Sequence, residues 1–320
     1  MKRHPANPVI TRDQIRSPHP ALQDVSSVFN PGGIMFGGKI LLLLRVQNRA
    51  RETFLVKAVS TDGLHFEIDT QPLTMKGLEA CPHQIYHVYD PRITLLEGRY
   101  HVICAMDTEQ GCFLGWFTTS EFDRLDFLGL VSEPDVRNGI LFPERIGGDY
   151  LRFERPNDIG GQNGVKTGSA IVCSRSHDLM NWERTGEVFS GRPHYWDELI
   201  GSGPPPIKTE QGWLHIYHGV ATHFASSNLY QLGVSLQDLN QPWITLRRGK
   251  YNILEPRELY ELTGQVPNVV FATVSIPLKT DTQGCAPPYS EVYVYYGAAD
   301  TCVCLAITTI AELVEDVYAP

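Results

Sequence analysis

Residues 89–94 read YDPRIT, an acid, a proline and an arginine where a loop enters the strand-like run Leu95 to Cys104. Other charged or hydrogen-bonding side chains stand in comparable places. Asn30 precedes a Pro-Gly-Gly turn in VFNPGGI, and Arg45 ends the otherwise aliphatic LLLLR. Arg137 and Asn138 open VRNGILFPERI, Arg155 and Asp158 fall in ERPND, and His218 ends WLHIYHG. Each has a simple reading alone. Asp90 and Arg92 could form a surface ion pair, Arg45 could snorkel, Asn30 could bond its own turn, Arg155 could pair with Glu154 or Asp158, and His218 could be a satisfied core histidine. Together, arginines at strand ends in an acidic chain predict a focused positive pocket, suited to one small anion.

Strand-like stretches must position these residues: Lys39 to Val46, Tyr100 to Ala105, Tyr150 to Glu154, Trp213 to Tyr217 and Val292 to Tyr296. Several open on a glycine and an aromatic, as in GRYHVICA, GDYLRF and GWLHIYHG. The clearest helical pattern is Thr308 to Val317, so the chain reads as all-β. A polar-acid-apolar-aromatic phrase recurs as STDGLHF, TSEFDRLDF, SRSHDLMNW and SLQDLNQPW. Its acids, Asp62, Glu121, Asp178 and Asp238, fall at intervals of 59, 57 and 60 residues. A unit of that length holding about four strands is a propeller blade. Five such units fill the chain, with YVYYGAAD and the terminal TTIAEL as a degenerate fifth copy. The expectation is one domain, residues 1–320: a five-bladed β-propeller with a short C-terminal helix, its termini serving as closures or caps. Residues 277–290 read as a loop inside the last blade. A β-sandwich would not require one phrase at near-constant spacing. In a propeller, residues far apart in sequence meet at one mouth.

The formal charge of -9 argues against nucleic acid, which needs a basic face. No aliphatic run approaches the ~20 residues of a spanning helix, and MKRHPANPVITRDQ lacks an apolar leader, so the expected location is the cytoplasm. Seven cysteines without CxxC pairing read as reduced core thiols. No cluster has metal-ligand spacing, and no organic cofactor is implied.

FNPGGI with LLLLRV, YDPRIT, NGILFPERI with ERP behind it, SHDLMNW, GSGPPPIKTEQGWLHIYHGV, ILEPRELYE, TGQVPNVVFAT and YYGAAD, in that order over roughly residues 28 to 315, resemble glycoside hydrolase family 130. These are five-bladed-propeller β-mannoside phosphorylases and related mannosidases. The resemblance implies that Asp90 is the general acid of an inverting reaction, its proton passing through the sugar's own 3-hydroxyl, with Arg92 helping to hold the carboxyl. It places Asn30, Arg45, Arg92 and Asp300 at the mannosyl unit. Inorganic phosphate, as co-substrate, falls to Arg137, Asn138, Arg155, His218 and Tyr230. The partners implied are a β-manno-oligosaccharide and phosphate; a homo-oligomer stays open. Leu199 stands where the family's phosphorylases often carry lysine, and Lys208 would replace it only if its loop folded inward. Two alternatives follow: a hydrolase with Glu198, Asp197 or Glu255 as base, and a carbohydrate-binding propeller without catalysis. NDIGGQNGVKTG (157–168) and HFASSN (223–228) are expected to border the acceptor subsite.

Overall fold

The structure is a computed structural model that describes residues 1–157, 168–223 and 227–320. Five antiparallel sheets follow one another along the chain as blades. Blade one comprises Val25–Phe36, Lys39–Asn48, Thr53–Ser60 and Glu67–Ile68. Blade two comprises Ile85–Leu96, Arg99–Thr108, Gly111–Thr119 and Arg124–Leu130, with Thr74–Lys76 added in parallel at its outer edge. Blade three is Val136–Leu141, Tyr150–Pro156, Ala170–Ser176 and Glu183–Ser190. In blade four the innermost strand is broken into Leu199–Ser202 and Ile207–Thr209 by Gly203 and three prolines; Gly212–Ala221, Leu229–Gln237 and Thr245–Arg248 follow. Blade five is Val270–Pro277, Glu291–Ala298 and Cys302–Thr309. Its fourth strand is Lys2–Arg3 from the other end of the chain, with Arg3 opposite Ala306. Of the two roles expected for the termini, closure or cap, the pairing of Lys2–Arg3 with Cys302–Thr309 is a closure. The 277–290 segment joins two strands of that last blade.

The core lies in the gaps between blades. Five apolar layers each join two neighbours, such as Leu41, Leu43 and Leu55 with Val102 and Phe117 between blades one and two. The leucine run Leu41–Leu44 is apolar throughout because both faces of its sheet are covered. The C-terminal helix, Ile310–Tyr318, packs Ile310, Leu313 and Val317 into the layer shared by blades four and five.

The recurring phrase is a turn between the third and fourth strands of a blade. Ser60, Thr119 and Ser176 each accept a hydrogen bond from the backbone three residues on, at Gly63, Phe122 and Leu179. All three of those residues are left-handed, with φ of 78°, 58° and 67°. Asp62 and Asp178 accept two further backbone N–H groups each, as Asp238 does in blade four. At the same place in blade five, Thr309 accepts from the Glu312 N–H and Glu312 accepts from the Thr309 N–H. The phrase has become a helix capping box, because the fourth strand comes from the N-terminus instead. Buried Glu261 secures that strand: it accepts from Arg3 Nε and Nη2, from two backbone N–H groups and from the Tyr296 hydroxyl. Of the seven cysteines, all free, Cys104, Cys112, Cys173, Cys302 and Cys304 are buried. No helix among the described residues is long and apolar enough to cross a membrane.

Candidate active site

Three consecutive innermost strands carry the same irregularity. Asn30 with Pro31, Asp90 with Pro91, and Asn138 with Gly139 each set two residues against one on the neighbouring strand. The first of each pair is left-handed, φ 40°, 52° and 55°. Asn and Asp tolerate that conformation better than other side-chain-bearing residues, and a bulge re-aims its side chain. The motifs FNPG, YDPR and RNGI are therefore one device used in three blades. The residue just before each bulge pairs with Arg45, Ala105 and Arg155 respectively.

These positions converge on a cavity of about 370 Å³ lined from the N-terminal halves of the innermost strands. One side is formed by blades five, one and two. Asp90, buried, accepts at Oδ1 from Arg45 (2.8 Å) and from the Asn30 amide (3.1 Å). The Arg45 guanidinium lies between the Phe29 and Tyr89 rings, 4.3 and 4.5 Å from their centroids. Gly297 leaves room for Asn30, since a Cβ there would stand 2.1 Å from Asn30 Oδ1. Asp300 lies at a left-handed turn after the second strand of blade five, near Arg45 and Asp90. Burial raises its carboxyl from the ordinary 3.8 to about 6, with Arg45 opposing and Asp90 reinforcing the shift.

The sign of that shift gives a stability prediction. A carboxyl raised by folding stabilises the native state fully below pH 3.8, and that contribution is lost as pH rises through about 6. Asp300→Asn cannot ionise. Its melting temperature relative to wild type is expected to climb between about pH 4 and pH 7, read by thermal denaturation across that range. A difference that falls over this window would contradict the assignment.

The other side, from blades three and four, is cationic. Arg155 is 4% exposed and donates from Nε and Nη2 to Asn157 Oδ1 (3.2 and 3.0 Å) and from Nη1 toward His218 Nε2 (3.4 Å). Burial, with neighbouring Arg137 adding to it, lowers its pKa to about 10. Among the described residues it has no carboxylate partner. Burial and then Arg155 hold His218 well below the ordinary histidine range, so the ring is neutral and Nε2 accepts. Arg137 donates to Asp107 at 3.3 Å. Tyr230 stacks on His218 at 6.1 Å and joins the cavity wall. Gly201 permits this packing: a Cβ there would lie 2.5 Å from the His218 ring and 2.7 Å from Asn138 Oδ1.

Asn30, Arg45, Asp90, Arg137, Asn138, Arg155, Tyr230 and Asp300 thus share one cavity. His218 lies behind Arg155, fully buried. Arg92 is placed otherwise than at the cavity wall. It is 2% exposed and donates to the Gly203 and Ser202 carbonyls of blade four and to the Asp90 carbonyl, so it holds the backbone that carries the acid. Leu199 pairs with Val220 in blade four. Lys208 is turned away to Glu144 (2.7 Å), at the opposite end of the axis beside Ile34, Ile93 and Ile276.

Of the acids considered as bases, Asp197 is fully buried between Arg192 and Arg248. Glu198 accepts from Thr222, and Glu255 pairs with Arg257; neither reaches the cavity. The sequence reading missed Tyr89, Asp107 and Phe271 on the wall. Asp107 sits two residues beyond Ala105, and only strand register could have found it. Asp158, with most of one segment expected near the acceptor subsite (158–167) and half of the other (224–226), lies outside the described residues. Among the described residues no His, Cys, Asp and Glu side chains group as metal ligands.

The sequence model of glycoside hydrolase family 130, described as beta-1,4-mannooligosaccharide phosphorylase, matches residues 1–319. The chain belongs to that family. Family 130 relatives include the beta-1,4-mannooligosaccharide phosphorylase of Ruminococcus albus, 30% identical over 98% of this chain and 89% of that one. A beta-1,2-mannobiose phosphorylase of Thermoanaerobacter is 32% identical over 88% of this chain and 89% of its own length. Among solved family 130 structures, the beta-1,2-mannobiose phosphorylase from Listeria innocua superposes with a TM-score of 0.83 at 27% identity, covering 100% of this chain and 99% of that one.

Proposed function

We propose that the protein is an inverting β-mannoside phosphorylase, converting a β-linked manno-oligosaccharide and inorganic phosphate into α-D-mannose 1-phosphate and a shortened acceptor. One contrast supports this reading most strongly. Arg45 and Arg155 occupy equivalent positions in two blades, each opposite the residue before a bulge. Arg45 is bonded to a carboxyl, that of Asp90, whereas buried Arg155 has no carboxyl partner among the described residues. A buried cation without a partner is costly, and a bound oxyanion supplies the missing charge. The relatives named above are phosphorylases of β-mannosides, which agrees.

In this reading Asn30, Arg45 and Asp300 hold the terminal mannosyl unit, and Asp90 provides a proton to the glycosidic oxygen by way of the 3-hydroxyl. Arg137, Asn138, Arg155 and Tyr230 hold phosphate, with His218 accepting from Arg155 and so orienting its fork. A phosphate oxygen forms the new bond to C1 as the C1–oxygen bond to the acceptor breaks. Proximity of the two reactants and charge compensation supply the rate. The test is product analysis of β-1,2- and β-1,4-mannobiose incubations with and without phosphate. Mannose 1-phosphate formed only with phosphate is expected; free mannose released equally fast without it would end the proposal.

A further inference from the structure

Inorganic phosphate near neutral pH always carries at least one P–OH group. A site that binds it must therefore offer an acceptor as well as donors, which a site for sulfate need not. On the cationic side Arg137 and Arg155 only donate, and Asn138 turns its Oδ1 inward, where that atom is buried without a partner among the described residues. Tyr230 offers a phenol, a weaker acceptor than a carboxylate. Asp107 supplies the carboxylate. It lines the cavity with its side chain 32% exposed, and Oδ1 accepts from the Tyr89 hydroxyl at 2.9 Å and from Arg137 Nη2 at 3.3 Å. The Tyr89 ring lies 4.5 Å from the Arg45 guanidinium and 5.8 Å from that of Arg137. The carboxylate is thus fixed where the two sides of the cavity meet.

We propose that Asp107 accepts the P–OH hydrogen of the bound phosphate and thereby selects phosphate over sulfate. This rests on the placement of phosphate at Arg137 and Arg155. With its hydroxyl held at Asp107, phosphate presents an unprotonated oxygen to C1. Sulfate, which has no hydrogen to give, sets a bare oxygen against the carboxylate and is rejected by like charge.

Phosphate KM and inhibition by sulfate and arsenate, each measured in wild type, Asp107→Asn and Arg155→Ala, test the idea. Arsenate is protonated as phosphate is, so it serves as the matched probe. Wild type should bind arsenate about as well as phosphate and sulfate at least about tenfold more weakly. Asp107→Asn keeps an oxygen for Tyr89 and Arg137 but adds an N–H donor. Phosphate KM is expected to rise about tenfold or more while the sulfate inhibition constant falls. A role confined to positioning Arg137 would weaken both anions together, and that outcome, or an unchanged ratio between them, overturns the proposal. A melting temperature within a few degrees of wild type confirms that the variant is folded; Asp107→Ser, which retains a weaker acceptor, should fall between the two. If instead Arg155→Ala leaves phosphate KM unchanged, the placement of phosphate itself is wrong.

Discussion

Asp90→Asn is expected to lower kcat on unactivated mannosides by about 10²–10⁴-fold, the range that a positioned general acid contributes. The variant should remain folded. Asparagine tolerates φ 52° at least as well as aspartate, and its amide oxygen can still accept from Arg45 and Asn30. Mannoside affinity should therefore change little. A nitrophenyl β-mannoside, whose leaving group needs no proton, separates an acid from a merely structural carboxylate. Turnover of that substrate should be largely restored in the variant. Equal loss on both substrates, or retention of activity on mannobiose, would remove Asp90 from the acid's role and leave a sugar-binding propeller as the better reading.

The second large effect concerns Arg155. Charge-assisted hydrogen bonds are worth about 1.5–3 kcal/mol each. Losing the two bonds of the guanidinium fork should therefore reduce kcat/KM for phosphate by roughly 10²- to 10⁴-fold. The mannoside KM should move much less, because Asn30, Arg45 and Asp300 stand on other blades. Arg155→Ala removes a buried charge that burial disfavours, so its loss need not destabilise the fold strongly. Phosphate should raise the melting temperature of wild type by mass action but not that of the variant. A phosphate-dependent shift that survives in Arg155→Ala would place the anion elsewhere.

The blades were legible because the same turn chemistry is repeated. Ser60, Thr119 and Ser176 each need a hydroxyl at that position, and Asp62, Asp178 and Asp238 each need an acid. The fifth copy was readable as degenerate, yet its conversion into the Thr309–Glu312 capping box depends on a strand 300 residues away in sequence, which no local pattern reveals. In the site, Asn30, Asp90 and Asn138 were visible as motifs, since a left-handed bulge restricts residue type. Arg92 was read as a sugar contact because it adjoins Asp90. Alternation alone would put Arg92 on the same face as Asp90, but the bulge at Asp90 and Pro91 breaks it and sends the Arg92 side chain to the carbonyls of blade four. Asp107 escaped notice for the converse reason. It lies in regular strand, ICAMDT, and gains its place only from the pairing of Ala105 with Tyr89 and of Asp107 with His87. His218 was grouped with the anion ligands, and its full burial puts it one layer behind, as the acceptor for Arg155.

A crystal of Asp90→Asn holding both β-mannobiose and phosphate tests the central claim most directly. Phosphate bonded to Arg137 and Arg155, on the face of the mannosyl ring opposite the glycosidic oxygen and in line with C1, is the predicted result. An empty anion position with Arg155 bonded only to sugar hydroxyls, or phosphate bound away from C1, would contradict it.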